Sequence, residues 1–133
     1  MKHLHTFESF LNEATTEFEF DPTRYAKNGV TVVQDEDYFR GRAVGKNYKF
    51  TSKNKESNLT VSRWYEGKAP DNYIAYLIVS GDKDKGTKTA NELDPALKPS
   101  GSTQSSNGVS TFSFSRFDMS QKELEKLLTN FTK

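Results

Sequence analysis

This sequence predicts an α+β fold: an antiparallel sheet of about five strands covered by a C-terminal amphipathic helix, with a separate N-terminal helical leader. Three observations carry that expectation. Several short stretches between Val30 and Phe117 alternate apolar and polar residues with the period of two that a half-buried strand needs. Leu124, Leu127, Leu128 and Phe131 recur at the i, i+3, i+4, i+7 spacing of one helical face. Ser120 and Glu123 stand three apart just before that stripe, so a hydroxyl can cap a helical N–H while the carboxylate reaches back to the cap.

The elements follow in order. Phe18 and Phe20 alternate with glutamates in a short strand or extended arm, which Asp21-Pro22 turns. Asn28-Gly29 opens a β-branched strand at 30–34, and Asp35-Glu36-Asp37 reads as a charged turn. A strand at 38–44, with Gly41 as a bulge or a close backbone approach, ends at Gly45; another at 47–52 puts Tyr48 and Phe50 on one side. The polar run 52–58 is a hairpin loop, Leu59 and Val61 lead the next strand, and Pro70-Asp71 marks a turn. Residues 73–79 form a nearly continuous apolar run, which predicts a central strand covered on both faces. Residues 80–108 are rich in Lys, Asp, Ser, Thr, Gly and Pro and read as a long flexible loop with one helical turn near Ala90 to Leu93. Strand composition returns at 109–117.

With 133 residues, one domain over 14–133 is the expectation, preceded by the amphipathic segment 1–13. The absence of cysteine removes disulfides, thiol catalysis and cysteine-ligated zinc. No apolar run approaches the roughly 18 residues of a membrane-spanning helix, so no membrane partner is expected. The formal net charge is +1, yet the charge is unevenly placed. Residues 8–37 are acidic, relieved only by Arg24 and Lys27, whereas residues 38–68 are basic, relieved only by Glu56 and Glu66.

In the leader, Leu4, Phe7, Phe10 and Leu11 share one helical face, while Lys2, Glu8 and Asn12 lie off it. The stripe stops at Glu13-Ala14. Met1, Lys2, Phe10, Leu11, Glu13 and Ala14 resemble the capsid-targeting peptides of head proteins in the T4-like tailed phages, Met-Lys-Thr-Tyr-x-x-Phe-Ile-Ala-Glu-Ala, which a prohead protease removes after a Leu/Ile-x-Glu signal. His3, His5 and a lengthening before Phe10 depart from that form, and the resemblance covers about a tenth of the chain. It implies that Leu11, Asn12, Glu13 and Ala14 form a cleavage signal read by the protease. It also implies that Leu4, Phe7, Phe10 and Leu11 dock on the prohead scaffold. Leu11-Asn12-Glu13 is the sole Leu/Ile-x-Glu triplet in the sequence, so the body carries no second signal.

In the basic segment, Arg40, Arg42, Lys46, Lys49, Lys53, Lys55 and Arg63 are interleaved with aromatic residues that include Trp64. Cations neutralise phosphates and exposed rings stack on bases, so these residues are candidates for nucleic-acid binding; a solvated face over an aromatic core is the plainer alternative. Asp35-Glu36-Asp37 offers hard oxygen ligands but lacks the glycine and ligand spacing of a calcium loop, so no metal is expected. Both histidines, His3 and His5, lie in the leader, and no phosphate-cradling glycine loop or other catalytic motif is present. The expectation is therefore a non-enzymatic protein without cofactor, located in the capsid interior or the host cytoplasm. In one form it is an internal head protein that contacts packaged DNA or acts against host defence after injection. In the other it is a cytoplasmic binding module for nucleic acid or a host protein, with a permanent N-terminal docking helix.

Overall fold

The computed structural model describes residues 18, 20–39, 42–63, 73–104 and 108–133, with backbone alone for 36–39 and 42–46. The leader, 1–13, lies outside them. Six strands form one open antiparallel sheet: β1 (Thr31–Phe39), β2 (Arg42–Thr51), β3 (Ser57–Ser62), β4 (Tyr73–Ser80), β5 (Lys98–Gln104) and β6 (Ser110–Met119). Their spatial order is β1-β2-β3-β4-β6-β5. Two helices accompany them, α1 (Lys83–Leu93) and α2 (Gln121–Phe131). The fold is thus α+β, with one strand and one helix beyond the sequence expectation.

Alternation decides what the sheet buries. In β4, Tyr73, Ala75, Leu77 and Val79 are buried while Ile74 and Ile78 are half-covered and Tyr76 is 39% exposed. Leu59 and Val61 of β3, Tyr48 and Phe50 of β2 and Phe114 of β6 join the buried side. Both helices pack on that side, against β4 and β6 and against each other. The expectation that β4 is covered on both faces is therefore corrected. A continuous apolar run is ambiguous between two covered faces and one, and here Ile74 and Ile78 are only half-buried, with neither helix packed on their face.

Helix α2 starts as its sequence predicts. Ser120 Oγ accepts from the Glu123 N–H at 3.2 Å, and Glu123 Oε1 accepts from the Ser120 N–H at 3.1 Å. Leu124, Leu127, Leu128 and Phe131 are buried on its inner face. The acidic side of the chain's beginning is tied to this helix. Asp21 caps a 3-10 helix at Pro22–Tyr25, the Tyr25 hydroxyl donates to Glu125 at 3.2 Å, and Arg24 pairs with Glu125. Phe18 and Phe20 cover Tyr73 from the same side, with ring centroids 5.1 and 6.0 Å away.

The segment read as a long flexible loop at 80–108 is instead α1 followed by the edge strand β5. Helix α1 buries Gly86 and Ala90, so it lacks the stripe of large apolar residues that makes a helix visible in sequence. The small residue is required by closeness: a Cβ on Gly86 would sit 3.3 Å from Phe112 Cβ and 3.4 Å from the Phe114 ring. Asp82 caps the helix by accepting from the Lys85 N–H at 2.7 Å. Strand β5 is exposed at every residue, so it shows no alternation and is held by its ladder to β6.

Asp35-Glu36-Asp37 is strand and not the expected charged turn. These residues lie inside β1, in register with Asn47, Lys46 and Gly45 of β2. The stretches read separately as 38–44 and 47–52 contribute to one strand, β2, from Arg42 onward, and Gly41, the expected bulge or close backbone approach, lies outside the described residues.

Candidate interaction surfaces

Among the described residues, Lys49, Lys53, Lys55 and Arg63 of the predicted basic segment do not share one surface. The cause is the pleat, which sends neighbouring side chains to opposite faces. Lys49 is exposed on the face opposite the helices, level with Thr60 of β3. Lys53 and Lys55 are exposed in the turn between β2 and β3, where the Lys53 stem lies across Gly29. Arg63 follows Val61 onto the buried side, is 6% exposed, and places its guanidinium 5.1 Å over the Tyr73 ring. Arg42 and Lys46 occupy β2 opposite Phe39 and Glu36. Arg40 and Trp64 lie outside the described residues, as do the leader positions Leu4, Phe7, Phe10, Leu11, Asn12, Glu13 and Ala14.

Register defines a different surface, the sheet face that carries neither helix. Val33, Lys49, Thr60, Tyr76, Ser115 and Lys98 stand opposite one another from β1 to β5 and form a single row across it. Beside this row run Thr51, Asn58, Ile78 and Ser113. The face therefore carries hydroxyl and amide groups, the Lys49 and Lys98 ammonium groups and, one row over from Lys49, the exposed Asp35 carboxylate, with exposed apolar surface at Val33 and Phe117, each 62% exposed, and at Tyr76. Sequence reading missed Tyr76, Lys98 and Phe117. Tyr76 sits inside the most apolar run of the chain, and Lys98 lies in the segment read as a loop; the exposed position opposite Lys49 is visible only once the register is known.

On the helix side, Arg116 of β6 joins three elements. Its Nη1 donates to Asp94 Oδ2 at 2.5 Å, at the end of α1, and its Nη2 donates to Glu123 in the first turn of α2. Partial burial by itself lowers the guanidinium pKa, but hydrogen bonds and charge from Asp94 and then Glu123 outweigh it and hold the group above its ordinary value. Glu123 lies below the usual carboxylate range, chiefly because the Ser120 backbone and hydroxyl hydrogen-bond to it, with Arg116 adding to the effect. A cleft of about 360 Å³ adjoins this cluster. Its charges satisfy one another, which suits a clamp between sheet and helices rather than a reactive site.

Among the described residues, no group of three or more His, Cys, Asp or Glu is placed to hold a metal ion. No described helix is long and apolar enough to cross a membrane. Fold and surface together define the class: an α+β domain with a six-stranded antiparallel sheet, two helices on one face and, among the described residues, no helix on the opposite face. No protein-family model, curated protein or solved structure matches the chain.

Proposed function

We propose that the chain is an internal head protein of a T4-like tailed phage, delivered to the prohead by its leader and trimmed after Glu13. In this reading Leu4, Phe7, Phe10 and Leu11 dock on the prohead scaffold, and the prohead protease reads Leu11-Asn12-Glu13. The body, from Ala14 onward, stays with the packaged DNA and acts by binding, either on that DNA or against host defence once injected. One observation carries the reading: the sole Leu/Ile-x-Glu triplet of the sequence ends at residue 13, where the apolar stripe of Leu4, Phe7, Phe10 and Leu11 stops.

A transplant tests delivery apart from the body's fold. Residues 1–14 fused to a fluorescent reporter, produced during infection by the phage that encodes the chain, should enter particles and lose thirteen residues. A reporter excluded from particles, or packaged with its leader intact, contradicts the reading.

The competing reading keeps the leader as a permanent docking helix on a cytoplasmic binding module. The sheet face without helices serves that module as it would serve a delivered body, since Lys49, Tyr76 and Lys98 all lie beyond the leader. The reporter fusion separates the two, because a permanent helix has no reason to be cut.

A further inference from the structure

We propose that the open face of the sheet is a platform for single-stranded nucleic acid, centred on Tyr76 and bracketed by Lys49 and Lys98. The three share one row: Tyr76 is in β4, Lys49 lies two strands away in β2, and Lys98 lies two strands away on the other side in β5. With neighbouring strands about 4.8 Å apart, each lysine backbone is about 10 Å from that of Tyr76, and the lysines are about 20 Å from each other. Thr60 and Ser115 fill the positions between. Phe117, two residues beyond Ser115 and 62% exposed, adds a second ring.

This spacing matches the chemistry of an unpaired strand. Such a strand offers bases whose faces stack on an aromatic ring and a line of phosphates alongside, which lysines neutralise. Hydroxyl groups between ring and lysine suit the polar edges of bases and sugars. A duplex keeps its bases stacked inside and would offer this face chiefly phosphates, for which two lysines are a small counter-charge. A protein partner would favour an apolar centre depleted in charge, whereas here hydroxyls flank the ring and an ammonium group lies beyond each of them. The inference does not depend on the leader, since every residue it uses lies in the body. A protein that binds strands but is never cut would defeat the delivery reading alone, and one that is cut but binds no strand would defeat this one alone.

Fluorescence anisotropy of the full chain with a labelled oligothymidylate and with a stable labelled duplex tests it. The single strand should bind more tightly, and log K should fall against log salt with a slope of about −1.4, the value for two neutralised phosphates. Tyr76→Ala should weaken binding about tenfold and Tyr76→Phe should preserve it, because stacking needs the ring and not the hydroxyl. Lys49→Ala and Lys98→Ala should each reduce the slope by about 0.7, while Lys122→Ala, on the exposed side of α2, should change nothing. Absence of strand binding, preference for the duplex, or a folded Tyr76→Ala variant that binds as tightly as the parent overturns the proposal. Should that variant fail to fold, Lys49→Ala/Lys98→Ala, which alters only exposed side chains, decides: an unchanged salt slope is equally fatal.

Discussion

Replacing Phe18 by alanine should cost more stability than removing the entire leader. The ring of Phe18 is half-buried and stands edge-on to Tyr48 at 4.9 Å and to Tyr73 at 5.1 Å, with Phe20 5.7 Å away. A fully buried Phe→Ala change costs about 3–5 kcal/mol, so a half-buried ring with two edge-to-face neighbours should cost about 2 kcal/mol. Unfolding entropy near 2.1 cal/mol/K per residue gives a chain of this size about 0.28 kcal/mol/K, and the melting temperature should fall by about 7 °C. A chain lacking residues 1–13 should stay within about 0.5 kcal/mol of the parent, as surface changes away from the core do. Urea titration and thermal melting followed by circular dichroism measure both. A neutral Phe18→Ala variant would refute the packing argument, and a leader deletion that costs more than the ring would refute a body that begins after Glu13.

Three further outcomes follow from local chemistry. Ser120→Ala removes the hydroxyl that accepts from the Glu123 N–H and should lower stability by about 1 kcal/mol, read from the urea midpoint. Gly29→Ala forces a side chain into a backbone with φ of +85° and should cost about 1 kcal/mol by the same assay, most of it strain because the nearest obstacle is the flexible Lys53 stem. Arg116→Met leaves Asp94 without the charged donor that its carboxylate meets at 2.5 Å and should cost about 2 kcal/mol. The pH dependence has a definite sign. Glu123 and Asp21 are held below their ordinary values in the folded chain, so the unfolded chain binds more protons in that window. Their contribution is present above the unfolded carboxylate pKa and is lost as pH falls through the folded one. Urea midpoints should therefore decline on acidification through the carboxylate range, and decline less in Ser120→Ala, which lacks one of the hydrogen bonds that depress Glu123.

The parts of the fold that were legible are those whose side chains report their own surroundings. Helix α2 carries both a capping box and four large apolar residues at helical spacing, and β4 could hardly be anything but an inner strand. Helix α1 escaped because Gly86 and Ala90 do its packing, and closeness to Phe112 and Phe114 demands small residues that look like loop composition. Strand β5 escaped because an edge strand with no buried residue is defined by backbone hydrogen bonds, which leave no pattern in side chains. The candidate site was legible as chemistry and not as place. Lysines and aromatic rings were visible along 38–68, yet strand parity sends Lys49 to the open face and Arg63 beneath Tyr73. Pairing across the sheet then supplies Tyr76 and Lys98 from segments well beyond the basic run.

In the proposed function the leader is an address removed on arrival, and the mass of the chain carried inside purified particles tests this most directly. Intact-mass spectrometry should find a body that begins at Ala14, and a Glu13→Ala chain should enter particles and keep its leader. A parent chain that still begins at Met1 in assembled particles would contradict the account.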